Sequence, residues 1–376
     1  MSDKIPVRSL RAAAYVIPTD APEADGTLAW DRTTLVVVHV AAGDQAGTGW
    51  TYCDAAAVPL LTGVLAGVVT GQDALDVPAI NGAMQRAVRN FGNCGIAAMA
   101  ISAADVALWD LKARLLGTAL SSLLGRPGPV AIYGSGGFTS YDSQRLKDQL
   151  SFWVDGLALS RVKIKIGESW GSDVARDLRR IEETRAVIGP DTELYVDANG
   201  GYTTLQAADV AARMAEFRVS WFEEPVSSDD VTGLASLRAQ VEPDVAAGEY
   251  CWNLTDAARL VTSGAVDCLQ LDVSRCGGIT GFQRAAQLAA AHGLQVSGHC
   301  APNLHAHAAA GISNLRHVEY FHDHQRIEQM LFDGALPPVG GTLTPDPGMP
   351  GMGVELRAAD AQQYLAAGAD AGRSGG

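Results

Sequence analysis

Eight ionisable residues follow one another along the chain: Lys163 and Lys165, then Asp197, Glu223, Glu249, Asp272, His299 and Glu319. Each lies in or closes a short apolar run of the kind that forms a buried strand, such as VKIKI, ELYVD, VSWFE and CLQLD. A charge at the end of a buried strand is costly unless it is paired or bound to a metal. One such charge is weak evidence of a site, whereas a series is hard to explain as solvation. Asp197, Glu223 and Glu249 close three successive predicted strands. Adjacent strands lie about 5 Å apart, so the three carboxylates can converge on one point. Left alone they would repel one another. A hard divalent cation with oxygen ligands resolves this, and Mg2+ keeps positions open for water and substrate. The competing explanation, that each carboxylate caps the helix after it, accounts for one of them better than for three.

Lys163 and Lys165 flank Ile164, so both face the same side of their strand. Two ammonium groups side by side disfavour each other's charge, which predicts a lowered pKa and a usable base. The bland alternative, an exposed edge pair, does not suit a strand as apolar as VKIKI. His299 ends one predicted strand and Asp272 ends the strand before it. A carboxylate beside an imidazole fixes its tautomer and stabilises its protonated form. Glu319, if protonated, would donate a hydrogen bond to a developing enolate oxygen. Asn199, two residues past Asp197, is a candidate substrate ligand, and Glu224 alternates to the far side as a structural partner. His305, His307, His317, His322 and His324 lack comparable placement, although His322 and Asp323 follow the last strand and are candidates for the mouth.

The elements that must position these groups alternate regularly. Strands are predicted at 130–133, 161–166, 193–197, 219–223, 244–249, 268–272, 295–299 and 316–319, with helical stretches such as 174–187 and 205–216 between them. Eight strands with helical crossovers predict a parallel β/α barrel, whose active site is built at the C-terminal ends of the strands. The rival, an open doubly wound sheet, is weakened because no GxGxxG fingerprint opens a strand–helix turn. Upstream, strands are expected at 7–17, 33–40 and 47–52, with a polar loop at 18–26, and helices at 55–69, 80–90 and 95–116. Gly125-Arg-Pro-Gly-Pro129 reads as the linker between an N-terminal α+β domain over 1–126 and a barrel over 127–339, with 340–376 returning to complete the first. The tail after Ala366 is small and polar and is expected to be mobile.

Composition bounds the function. A chain of 376 residues exceeds one ordinary compact domain. Its formal net charge of -14 argues against nucleic acid or an anionic membrane as partner. It does not exclude an anionic substrate, because a bound cation and local lysines invert the field inside a pocket. The six cysteines form no CxxC pair and read as reduced thiols of a cytoplasmic protein. The opening MSDKIPVRSL has no apolar core of a signal peptide, and the most apolar stretch, 58–71, is too short to span a bilayer.

Taken together, KIK at 163–165, VDAN at 196–199, FEEP at 222–225, GE at 248–249, LQLD at 269–272 followed by GGITG, SGH at 297–299 and VEY at 318–320 resemble the enolase superfamily, in its mandelate racemase subgroup. The resemblance runs over nearly the whole chain, and no catalytic position departs from the pattern. It implies a modified (β/α)7β barrel with an α+β capping domain, and Mg2+ on Asp197, Glu223 and Glu249. It implies Lys165 and the His299–Asp272 dyad as bases on opposite faces of a small carboxylate substrate. Lys163 would tune Lys165 or touch the carboxylate, and Glu319 would stabilise the intermediate. Such enzymes remove an α-proton with a Lys or His base while Mg2+ stabilises the enediolate, chemistry for which this superfamily is itself a standard example. The reading favoured is dehydration of a sugar acid to a 2-keto-3-deoxy acid. The alternatives are a racemase or epimerase of an α-hydroxy acid and an inactive metal-binding homologue. Capping loops at 18–28 and 47–54, with Trp50 and Tyr52, are expected to close over the substrate and to share specificity with Ser135, Tyr250 and Arg275. A homo-oligomer is expected, as is usual in the subgroup.

Overall fold

Runs of β-branched and small residues open the chain as three long antiparallel strands: β1 (Val7–Ala24), β2 (Ala29–Ala42) and β3 (Gln45–Tyr52). The computed structural model describes residues 4–125 and 127–368. Leu365–Gly368 returns to pair antiparallel with β1, Ala13 facing Gly368. Residues 369–376, which make up most of the tail predicted to be mobile, lie outside the described residues. The loop predicted at 18–26 is instead a continuation of β1. Pro18 pairs with Arg32, the register then breaks, and Glu23 resumes opposite Trp30. Proline lacks the ladder N–H, so the strand bulges there instead of ending. The turn itself is short: Asp25 Oδ1 accepts from the Thr27 and Leu28 amides at 2.6 and 2.7 Å.

Behind this sheet lies the helix Gly95–Leu115, rich in alanine and buried on nearly every side. Small residues allow the close approach. A Cβ added at Gly49 of β3 would run into the Ala103 carbonyl oxygen and lie 2.5 Å from the Ala107 amide nitrogen. Gly49→Ala is therefore expected to destabilise the protein by about 3 kcal/mol through overpacking against rigid backbone. A denaturant midpoint within error of wild type would contradict this. The same helix ties the capping domain to the barrel. Asp105 accepts from Thr280 N and Oγ1 at 3.0 and 2.7 Å, and Asp110 accepts from the amides of Thr48 and Met352.

The barrel strands are β4 (Val130–Gly136), β5 (Arg161–Lys165), β6 (Glu193–Asp197), β7 (Val219–Glu223), β8 (Asp244–Ala247), β9 (Cys268–Leu271), β10 (Gln295–Gly298) and β11 (Leu315–Phe321). All eight are parallel to their neighbours, and β11 pairs with β4. The sheet is closed, which removes the open-sheet rival. Each connection carries a helix, so the architecture is a TIM-type barrel with an N-terminal α+β cap. Register sets the strand ends side by side: Lys165 faces Asp197, and Asp197 faces Glu223. Thr342–Leu343 adds a short antiparallel pairing to the first residues of β4.

Residues two positions before the ionisable ones, joined by Tyr133, form a second layer. Tyr195 stacks on Trp221 with ring centroids 5.4 Å apart, and His317 lies edge-on to Tyr133 at 4.7 Å. Ser297 Oγ is 3.0 Å from His317 Nδ1, and Gln270 Nε2 donates to Tyr133 OH at 3.1 Å. This layer fills the barrel beneath the ionisable one. No helix among the described residues is long and apolar enough to cross a membrane.

Candidate active site

The ends of β5 to β11 bring all eight ionisable residues together, each of them buried. Asp197 and Glu223 are the last residues of β6 and β7, and Glu249 lies two residues past β8. One oxygen of each lies within 4.8 Å of the others. Glu223 is held by Lys163 at 2.6 Å, by Trp221 Nε1 at 2.9 Å and by Gln270 Nε2 at 2.9 Å. Glu249 Oε1 takes Arg275 at 3.2 Å, while Glu249 Oε2 is buried without a hydrogen-bond donor. Its nearest cationic neighbour, His299 Nε2, is 3.3 Å away. Three buried carboxylates, one with an orphaned oxygen, form a set of hard oxygen donors that fits Mg2+.

The backbone turns sharply at these strand ends. Asn199, Glu224, Cys300 and Ala301 all have positive φ, from 37° to 52°. Such conformations in non-glycine residues cost of order 1 kcal/mol or more each and cluster where side chains must be aimed. Asn199 lines the cavity, and its Oδ1 is buried and unpaired. Glu224 is buried as well, and burial together with the nearby Glu249, Asp197 and Glu223 pushes its carboxyl well above the ordinary range.

Lys165 is ion-paired with Asp197, and Lys163 reaches Glu223, Glu319 at 2.8 Å and Asp197 at 3.6 Å. The expected depression of the lysine pKa values is not found. Burial disfavours the Lys163 charge, but Glu223, Glu319 and Asp197 outweigh it and hold the group well above the ordinary lysine range. For Lys165, burial and the repulsion of Lys163 act downward as predicted, yet Asp197 reverses the sign. Two cations side by side would lower each other; the carboxylates they face, on neighbouring strands, decide the outcome.

His299 Nδ1 is 2.9 Å from Asp272 Oδ2, which fixes the ring with Nε2 toward the cavity. Asp272 is itself held by Ser274 N and Oγ, both at 2.7 Å, and by Arg275 Nε at 3.3 Å. Burial would raise its pKa, but His299 and Arg275 take it well below the usual carboxylate range. Burial pulls His299 down, while Cys300, Glu249, Glu319 and the Asp272 bond raise it well above a free imidazole. Glu319 accepts from Ser135 Oγ at 2.5 Å and the Cys300 amide at 2.9 Å besides pairing with Lys163. Burial opposes its charge, but Lys163, His299 and Lys165 hold its pKa far below normal. These contacts and the direction of that shift run against the protonated donor considered for this position.

Above this floor opens a cavity of about 390 Å³. Lys165, Asn199, Glu249, His299 and Cys300 face it from below, and Asp25, Leu28, Trp30, Thr34, Tyr52 and Asp54 from the cap. Both predicted capping segments, largely strand in the structure, therefore reach the cavity, but Trp50 does not. Trp50 is fully buried between the domains, stacked on Phe332 with its Nε1 donating to Glu328 at 3.1 Å. Being two residues away on the same strand as Tyr52, it shares that residue's face but lies deeper. Tyr52 lines the cavity, stacks on His324 and donates to Glu328 at 3.2 Å. Tyr250 and Arg275 line the cavity, whereas Ser135 is buried behind Glu319.

Several contributors are not evident from the sequence. Cys300 puts Sγ 3.3 Å from His299 Nε2, with burial pushing its thiol up to about 12. His324 forms part of the wall, and His305 braces the loops after β9 and β10 through Val273 N and the Cys300 carbonyl. Gln270 and Trp221, which hold Glu223, are two more. The two-residue period of a strand carries the signal for this last pair, since each precedes a site residue by two.

Residues 16–125 match the family model of the mandelate racemase/muconate lactonizing enzyme N-terminal domain, and residues 145–361 match that of the enolase C-terminal domain-like fold. The chain is 33% identical over 356 residues to D-galactarolactone cycloisomerase of Agrobacterium fabrum, covering 90% of this chain and 93% of that one. It is 33% identical over 255 residues to L-talarate/galactarate dehydratase of Salmonella typhimurium, covering 67% of this chain and 63% of that one. The structure of that dehydratase liganded with Mg and L-lyxarohydroxamate superposes with a TM-score of 0.88 at 25% identity, over 97% of this chain and 94% of that one. A mandelate racemase/muconate lactonizing enzyme-like protein from Rubrobacter xylanophilus superposes with a TM-score of 0.92 at 47% identity, over 96% of this chain and 100% of the other. With both domains matched and the carboxylate triad, lysine pair and dyad in place, the chain belongs to the enolase superfamily, in its mandelate racemase subgroup.

Proposed function

We propose that this enzyme dehydrates a sugar acid to a 2-keto-3-deoxy acid. More broadly it is a Mg2+-dependent lyase or racemase/epimerase of the superfamily. Asp197, Glu223 and Glu249 would hold the ion. When bound, Mg2+ supplies positive charge that stabilises the developing anion of the substrate carboxylate and offsets the hold of Asp197 on Lys165. Lys165 takes the α-proton at Nζ. Lys163, locked between Glu223 and Glu319, keeps its positive charge. His299, held by Asp272, delivers a proton from Nε2 to the oxygen on the β-carbon. The α C–H and β C–O bonds break, a C=C bond forms, water leaves, and the enol becomes the keto acid.

The observation that carries the sugar-acid reading is the wall of the cavity. Asp25, Thr34, Asp54, Tyr250 and Asn199 offer partners for several substrate hydroxyls. A second reading is supported by the cycloisomerase relative, whose match covers 90% of the chain. If the departing oxygen belongs to a lactone ring, the same step opens the ring and no water leaves.

Incubation with Mg2+ and a library of sugar acids, lactones and α-hydroxy acids in D2O tests these readings. Water loss from an open-chain acid is the expected result, abolished by chelation and restored by Mg2+. Turnover of lactones alone would establish ring opening. Exchange with inversion and no elimination would make the enzyme a racemase. Silence across the library would favour a homologue that binds metal without catalysis.

A further inference from the structure

We propose that Asp20, Glu23 and His322 form a second metal site, for a divalent ion of the zinc type, which fastens the bulged end of β1 to the barrel. Asp20 and Glu23 belong to the part of β1 where its pairing with β2 breaks and resumes. His322 is the first residue of the helix that follows β11. One ligand atom from each of the three lies within 4.8 Å of the others. His322 Nε2 stands 3.2 Å from Asp20 Oδ2.

The independent sign of a ligand is Glu23, which is 1% exposed. Its Oε2 accepts from Trp30 Nε1 at 2.8 Å, but its Oε1 is buried with no hydrogen-bond partner. A buried carboxylate oxygen with no hydrogen-bond partner, in a group with a second carboxylate and an imidazole, leaves a ligand position open to a cation. Two carboxylates and one neutral imidazole balance a double positive charge. An N,O,O donor set with room for water suits Zn2+ and its neighbours, while the all-oxygen catalytic triad suits Mg2+. The Asp20 and His322 side chains are 40% and 18% exposed, so the ion can enter from solvent. Arg145 holds Asp20 Oδ1 at 3.0 Å from outside, as a supporting partner would. The site is next to the catalytic cavity but separate from it. Asp25, Leu28 and Trp30, which line that cavity, follow closely on Glu23, and Trp30 packs edge-on against Phe138. An ion here would pin that stretch of the cap over the mouth.

The experiment uses full-length protein dialysed against Zn2+ in excess Mg2+, followed by counting the metal retained. One equivalent of zinc per chain is expected. Glu23→Gln and His322→Ala should each weaken its retention at least tenfold, and Cys300→Ser should not. The Cys300 variant matters because His299, Cys300 and Glu319 also bring ligand atoms together. Loss of the zinc in Cys300→Ser, or its full retention in both of the others, would overturn the proposal. A measurement on wild type guards against misfolded variants: zinc should protect His322 from diethylpyrocarbonate, mapped by peptide mass. Equal modification of His322 with and without zinc would likewise overturn it.

Discussion

His299→Asn is expected to stop product formation while proton exchange at the α-carbon continues. In the proposed reaction His299 serves the departing oxygen and Lys165 serves the α-proton, so the two steps can be separated. Asparagine can still donate to Asp272, which keeps that buried carboxylate paired, but it has no proton to deliver at neutral pH. General acid catalysis of this kind contributes about 10²- to 10⁴-fold, and turnover should fall by about 10³-fold. Deuterium from D2O should still enter the α-position of recovered substrate. The check is NMR of the substrate pool beside an assay of the keto acid. Loss of exchange along with elimination would mean that His299 takes the α-proton, and the roles of the two faces would then be reversed.

Lys165→Ala is expected to remove both exchange and elimination, again by about 10³-fold or more. Its ion pair with Asp197 makes the interpretation less simple, because alanine leaves that carboxylate without its partner. Lys165→Arg separates the two effects. Arginine restores a positive charge beside Asp197 but cannot give up its proton at working pH. If Lys165 acts as a base, the arginine variant should be as inactive as the alanine variant while binding Mg2+ as wild type does. If arginine restored turnover, the residue would be an electrostatic fixture and the base would lie elsewhere. Small primary amines added to Lys165→Ala, but not to Lys165→Arg, should return part of the exchange.

Barrel, cap and ionisable set were legible in the sequence because burial leaves few options. An apolar run ending in a carboxylate, as at ELYVD and VSWFE, marks a strand whose end must be paired or bound, and β6 and β7 carry those predicted bounds. The first barrel strand extends past its predicted end because Gly134 and Gly136 resemble a turn. Both are strand glycines instead: a Cβ at Gly134 would lie 2.5 Å from the Trp153 ring. The bulge at Pro18 looks like a loop because local composition cannot show that β2 pairs on both sides of it. The sign of the lysine pKa shifts needs the distances to Glu223, Glu319 and Asp197, which belong to other strands. Trp50 and Tyr52 look equivalent in GWTY, and only the packing of β3 on Phe332 and His324 sets one beneath the other.

The layer of Tyr133, Tyr195, Trp221, Gln270 and His317 below the site also bears on how the fold can fail. Sealing residue and candidate site residue follow one another at a spacing of two, in a strand or at its end: Trp221 and Glu223, Gln270 and Asp272, Ser297 and His299, His317 and Glu319. A slip of one residue in any of these strands would turn both members of its pair outward together. The barrel floor and the chemistry are thus lost or kept as one unit. A misregistered but compact barrel would leak water from below at the same strand where it lacked a ligand or a base. On the proposed assignment, activity would report on strand register around the closed barrel.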